Sequence, residues 1–427
     1  MQKVKYNFLT INPLFLYSLF YSTVLLGFYF NEDSLGGAKA DFLYHYNISQ
    51  KFSENFFLTF STYGTNADGM NARNSPVFWI LISYLNNFIS SEFLRLINSF
   101  SSILISFLFY RCLIIKFKNV DKFYLLFFSC ILFLSPTIRS VSIWPSTLNW
   151  GLVFFLVSLL NYLKFVNTLS NNKKDLYIYY TIFFVAISAY LHPSFATFYI
   201  FYVFNFSQHN KFGIKTFYLL LFSLILATPS LFYIISKDFL SSFQAAQGIQ
   251  TSNIQSLNLA NKILIVSTMV FFFIIPVLNL KILINKINDI KLKEFSIIVI
   301  FCLINIYLFN YPAFDSGLGG GFFYKASNIL FGNNLIFYIS SIIAIISIYL
   351  LLEKNFYNYL LLFILIIYTP QLTIYNKYYD PLILIIFSIL INFNFKDHFF
   401  KKYYKFLQLY FISVVYLLIG IFKSQIF

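Results

Sequence analysis

Apolar residues run in long blocks along this chain, and short polar loops separate the blocks. Lipid offers no water to satisfy an exposed backbone, so such blocks predict membrane helices. Thirteen are predicted, at 11–30, 94–115, 123–138, 149–165, 176–191, 194–206, 216–236, 263–280, 295–311, 334–352, 359–369, 381–395 and 406–422. The expected fold is therefore all-α and polytopic, with 1–427 forming a single transmembrane domain. Several runs fall short of the roughly 20 residues a span needs, and flanking Tyr and Lys extend them by snorkelling. Pro136, Pro229 and Pro276 lie within or beside spans, where membrane helices tolerate proline.

The stretch Pro76 to Ile89 is apolar but only 14 residues long, which suits an interfacial helix better than a span. It closes the longest loop, 31–93. Earlier in that loop, Leu43, Tyr46, Phe52 and Phe56 recur among polar neighbours at roughly helical spacing. Two amphipathic surface helices are expected, near 41–57 and 76–89, joined by a Gly/Asn-rich turn. Further loops on the same side are expected at 237–262 and 312–333.

Charge placement sets the orientation. If 76–89 does not cross, 20 of the 30 Lys and Arg fall on one side, which the positive-inside rule makes cytoplasmic. The N-terminus is then inside, ahead of an uncleaved first span. Nine of the 15 acids fall outside, including Glu32, Asp33, Asp41, Asp68, Asp315 and Asp380. The net charge of +15 reads as lysines facing anionic lipid headgroups, not as a nucleic-acid signal. With 59% hydrophobic and 11% charged residues, a soluble enzyme or a disordered chain is excluded. Cys112, Cys130 and Cys302 sit in apolar runs and read as buried, unpaired thiols.

Candidate chemistry gathers on the outer side. Asp41 sits where the chain enters the first surface helix, with His45 one turn later on the same face. Such a carboxylate can act as a general base, or it can be a helix cap or a solvated surface acid. Glu32, Asp33, Asp68 and Asp315 are rival acids. Arg139 and Trp144 follow the third span, His192 the fifth, and Tyr375, Lys377 and Asp380 the eleventh. The cations among them can pair with a lipid-linked phosphate or can serve as snorkelling anchors. Gly317 to Gly321 lack a following GKS or GKT, so a lid or re-entrant loop is expected instead of a phosphate loop. No Walker motif and no row of intramembrane charges points to a pump or an ion-coupled carrier.

In four stretches the chain resembles the GT-C membrane glycosyltransferases, the group of protein O-mannosyltransferases and lipid A aminoarabinose transferases. They are Asp41-Phe-Leu-Tyr-His45 after span one, Asn74-Ser-Pro-Val77 opening a surface helix, Arg95 to Asn98 opening the next span, and Ser135-Pro136 ending the following one. Lys377-Tyr-Tyr-Asp-Pro381 resembles the basic and aromatic stretch before a late span in that family. The likeness covers about residues 10–165 in detail and the remainder only in topology. It implies an inverting transfer of sugar from a polyprenyl-phosphate donor to an envelope glycan or lipid acceptor, in a bacterial-type inner membrane. Asp41 would be the base, and His45, Arg139, His192, Tyr375 and Lys377 would contact substrate. Relatives carry Asp-Glu where Phe42 follows Asp41 here, so no obligatory divalent metal is expected. An O-antigen or exopolysaccharide polymerase is the alternative within that chemistry, and a lipid-linked oligosaccharide flippase is the alternative from another class.

Overall fold

The computed structural model describes residues 12–64, 75–236, 258–278, 280–288, 290–311, 319–369, 373–393 and 403–426. Among these the chain forms helices joined by turns and short connections, with no strand beyond one isolated antiparallel bridge between Leu352 and Phe393. The all-α fold follows from the composition, because long apolar runs without a second hydrogen-bonding partner close their backbone bonds internally.

Among the described residues, four helices are long and apolar enough to cross a membrane: Ser91–Lys116, Thr147–Asn167, Ile214–Ile235 and Lys405–Phe422. A fifth counts if Lys122–Leu134 and Pro136–Ile143, bent by 66°, make one broken span. The bend falls at Ser135-Pro136, where proline cannot donate to the preceding turn. Leu14–Tyr29, Leu259–Ile274, Leu335–Leu351 and Phe356–Ile367 are apolar but shorter. Leu382–Ile389 has only eight residues, about 12 Å of helix at the usual rise, and is packed almost wholly in protein. Each of the thirteen apolar runs thus contains a helix, but most of these helices are shorter than a bilayer. The Ile214–Ser236 helix leaves Phe217, Leu221, Ile225, Phe232 and Ile235 exposed along its length. That much uncovered apolar surface requires lipid, so the chain is a membrane protein.

The largest core cluster joins Ser101–Lys116, Thr147–Asn167, Asn171–Leu191 and the later helices. A second cluster binds the first helix to the first loop through Tyr21, Val24, Phe42, Trp79 and Trp144. In that loop Ala38–Glu54 and Val77–Leu85 pack together, with Phe56–Thr62 beside them. Ser53 Oγ donates to the Ser83 carbonyl at 2.8 Å, and Asn86 Nδ2 donates to Ser49 Oγ at 2.9 Å. Val77–Leu85 has nine residues, about 14 Å at 1.5 Å per residue, far too short to cross.

The buried stripe of Ala38–Glu54 differs from the expected one. Ala38, Phe42, Ile48, Ser49 and Phe52 face inward, whereas Leu43 is 48% exposed. One helical turn of 100° per residue puts 38, 42, 45, 49 and 52 on a common line and turns 43 away from it.

Candidate functional site

The first-loop helices, the corner at His192 and the Tyr375–Tyr379 segment surround a polar cavity of about 350 Å³. Asp41, His45, His192, Tyr375 and Lys377 all line it. Tyr44, Trp79, Ser146, Thr147 and Tyr378 complete much of its wall. Among the described lining residues, Asp41 and Lys377 are the charged ones.

Each side chain is placed by its local sequence. Asp33 fixes the start of the Ala38–Glu54 helix, since its carboxylate accepts from the backbone N–H of Gly37, Ala38 and Lys39 at 2.9–3.1 Å. Asp41 then falls in the first turn with its carboxylate 60% exposed. The capping role open to Asp41 therefore belongs to Asp33. His45 follows one turn later and stacks on Trp79, with ring centroids 4.8 Å apart and planes 12° apart. His192 ends the Asn171–Leu191 helix and approaches Gly151, where an added Cβ would lie 3.0 Å from the His192 Cβ and 2.9 Å from the Phe195 ring. Ser188 Oγ donates to the Gly151 carbonyl at 2.7 Å and locks that approach.

Lys377 sits in the four-residue helix Asn376–Tyr379. Its Nζ donates to Asp41 Oδ2 at 2.8 Å and lies 5.4 and 5.6 Å from the ring centres of Tyr375 and Tyr378. The segment is anchored at both ends. Gly320 N donates to the Ile374 carbonyl at 2.9 Å, and the Ile374 N–H donates to the Tyr311 hydroxyl at 2.8 Å. Gly319 has φ +70°, and a Cβ there would come 2.8 Å from the Ile374 carbonyl oxygen. The glycine run thus serves close backbone approach. At the other end, Ser135 Oγ donates to the buried Asp380 carboxylate at 2.8 Å. Burial pushes Asp380 up to about 6, against the pull of that hydrogen bond.

The electrostatics are simple. Burial pushes the His45 imidazole down to about 4, with Asp41 pulling the other way and the Lys377 charge adding to the fall. Burial, and then the nearby Lys377 charge, push His192 down to about 4 as well. Both rings are neutral at pH 7. Burial lowers Lys377, but Tyr378, Asp41 and Tyr375 outweigh it and hold the ammonium above its ordinary value. Three lining residues also carry a buried polar atom without a hydrogen-bond partner: Nδ1 of His45, Nδ1 of His192 and Nε1 of Trp79. Such atoms are uncommon in folded proteins.

Arg139 is not among the lining residues. It is 4% exposed within the buried Pro136–Ile143 helix. Its Nε and Nη2 donate to Glu32 at 2.8 and 2.5 Å, and Nη1 and Nη2 donate to Thr23 Oγ1 and the Thr23 carbonyl at 2.9 and 2.8 Å. The guanidinium is fully engaged, so it has nothing left for a phosphate. Glu32 is spent in the same pair. The 66° bend after Ser135 is what carries Arg139 inward from the expected outer loop. Asp68 and Asp315, along with most of 237–262 and part of 312–333, lie outside the described residues. Among the described residues no three His, Cys, Asp or Glu side chains converge to hold a metal ion. Trp79, Tyr44 and Tyr378 were not expected in the site. In a chain that is 22% aromatic, one more ring gives no signal.

A larger apolar cavity of about 690 Å³ adjoins this region, lined by Val77, Ile80, Pro193, Tyr199, Leu224 and Ala227 among others. Adjacent residues line the two spaces: Trp79 with Ile80, and His192 with Pro193. No family model, no curated protein and no solved structure matches the chain.

Proposed function

We propose that the chain is an integral membrane glycosyltransferase of the GT-C type, acting in cell-envelope polysaccharide biosynthesis. The observation that carries this reading is the meeting of Asp41, Lys377 and two neutral histidines in one cavity. In this reading the thirteen apolar segments cross or pack within a bacterial-type inner membrane, the N-terminus is cytoplasmic, and the cavity opens on the extracytoplasmic face. The donor is a sugar on a polyprenyl phosphate, and its chain lies in the adjoining apolar cavity.

Transfer then runs in one displacement. The acceptor hydroxyl gives its proton to the Asp41 carboxylate as its oxygen bonds to the anomeric carbon. The bond from that carbon to the phosphate oxygen breaks, and its electron pair leaves with the phosphate, next to the Lys377 ammonium. Neutral His45 and His192 hold sugar hydroxyls by accepting or donating one hydrogen bond each. No step needs a metal.

Glycan analysis of a deletion strain complemented with wild type or Asp41→Asn tests the proposal. The expected result is loss of a single sugar with the variant and its return with wild type. Shortened glycan chains with intact repeat units would instead mark a polymerase. Full restoration by Asp41→Asn would overturn Asp41 as the base.

A further inference from the structure

Asp41 and Lys377 each occupy the other. The carboxylate assigned as base accepts from the ammonium assigned to the phosphate, at 2.8 Å. Neither can do its work while that contact is whole. A base held by a cation is a weaker proton acceptor, and a cation held by a carboxylate attracts a second anion less. The pair is also lopsided. Asp41 is 60% exposed and Lys377 only 23%, so the carboxylate can turn to solvent while the ammonium stays between Tyr375 and Tyr378. Both neighbouring histidines are neutral, so among the described lining residues no second cation can take the phosphate in place of Lys377.

We propose that a phosphate ester competes with Asp41 for the Lys377 ammonium, and that this exchange frees the carboxylate once donor is bound. The inference rests on the transferase reading for its purpose, but the competition itself requires no transfer. A glycosyl phosphodiester carries one negative charge and the departing monoester nearly two. Lys377 therefore binds the product-like phosphate more strongly than the intact donor, which is the direction that favours bond breaking. Proton uptake by Asp41 neutralises it at the same moment and removes its remaining hold on the ammonium. Without donor the base stays paired with the ammonium.

The test is equilibrium binding of two probes, farnesyl phosphate and inorganic phosphate, to the full chain in lipid nanodiscs. Asp41→Asn keeps the shape and removes the competitor, so it is expected to bind farnesyl phosphate about fivefold more tightly than wild type, the size of an exposed ion pair. Asp41→Ala should tighten binding to a similar extent, which guards against an effect peculiar to the amide. Lys377→Met should abolish the gain in the double variant. Equal tightening for inorganic phosphate assigns the exchange to the phosphate group alone; tightening for farnesyl phosphate only assigns it to a lipid-held phosphate. Unchanged or weaker binding by both Asp41 variants overturns the exchange. Tightened binding in a protein that transfers no sugar keeps the exchange and removes the transferase reading instead.

Discussion

Among the described residues, two acid–cation pairs involve the first loop, and they have opposite characters. Glu32 and Arg139 are both nearly buried and meet through two guanidinium nitrogens, and Arg139 donates further to Thr23. Asp41 and Lys377 meet through one contact at the wall of a cavity, with the carboxylate mostly in solvent. A buried bidentate pair is strongly coupled to its surroundings and costly to break, whereas an exposed single contact is cheap to open. Low cost of opening is what a site must have if its groups are to meet a ligand. The difference separates a pair that holds the fold from a pair that can work.

The sharpest way to break this contrast is to remove one partner from each pair. Arg139→Ala strands the Glu32 carboxylate in protein and is expected to cost about 3–5 kcal/mol of stability. Thermal unfolding in detergent would read this as a large drop in midpoint or as failure to accumulate. Asp41→Asn is expected to change stability by less than about 1 kcal/mol. The same variant should lower sugar transfer by about 100-fold or more, the usual worth of a general base. If both substitutions gave equal stability losses, the distinction would fail.

Acidification adds a smaller effect. The folded-state values of His45 and His192, about 4, lie below the ordinary 6.5. Between those limits the unfolded chain holds protons on these rings that the folded chain does not, so the stability the two rings contribute is complete above about pH 6.5 and falls as pH drops towards 4, while the raised Asp380 carboxyl acts in the opposite direction below about pH 6. His192→Asn is expected to remove roughly half of that pH-dependent loss, as one of two similar groups. Unfolding midpoints measured from pH 7 to 4.5 would show a slope unchanged by the variant if the ring does not stay neutral. Asp33→Ala has the smallest effect expected, about 1 kcal/mol for a lost helix cap. It should reduce transfer modestly by loosening the turn that carries Asp41, whereas an unchanged activity and midpoint would show that the cap does not matter.

Local relations were legible in the sequence. Asp41 and His45 stand one helical turn apart, and helix geometry alone brings them to one cavity. Lys377, Tyr375 and His192 were legible as polar groups placed between apolar runs on one side. Arg139 had the same appearance and proved different, because its partner lies 107 residues away and sequence gives no measure of burial. The inward choice of Phe42 over Leu43 was missed because both are apolar and the helix begins at Ala38, a few residues ahead of the expected start. The crossing helices were harder to count. The apolar run 381–395 satisfies the hydrophobic pattern, yet its helix, Leu382–Ile389, is surrounded by protein and not lipid.

The stack of His45 on Trp79 has an optical consequence. The chain has three tryptophans, at 79, 144 and 150, and Trp79 alone of these lies against an imidazole that lines the cavity. A protonated imidazole quenches indole emission where a neutral one does not. With Trp144 and Trp150 replaced by Phe, the remaining emission intensity becomes a signal for the charge state of His45, readable in intact vesicles without any added dye.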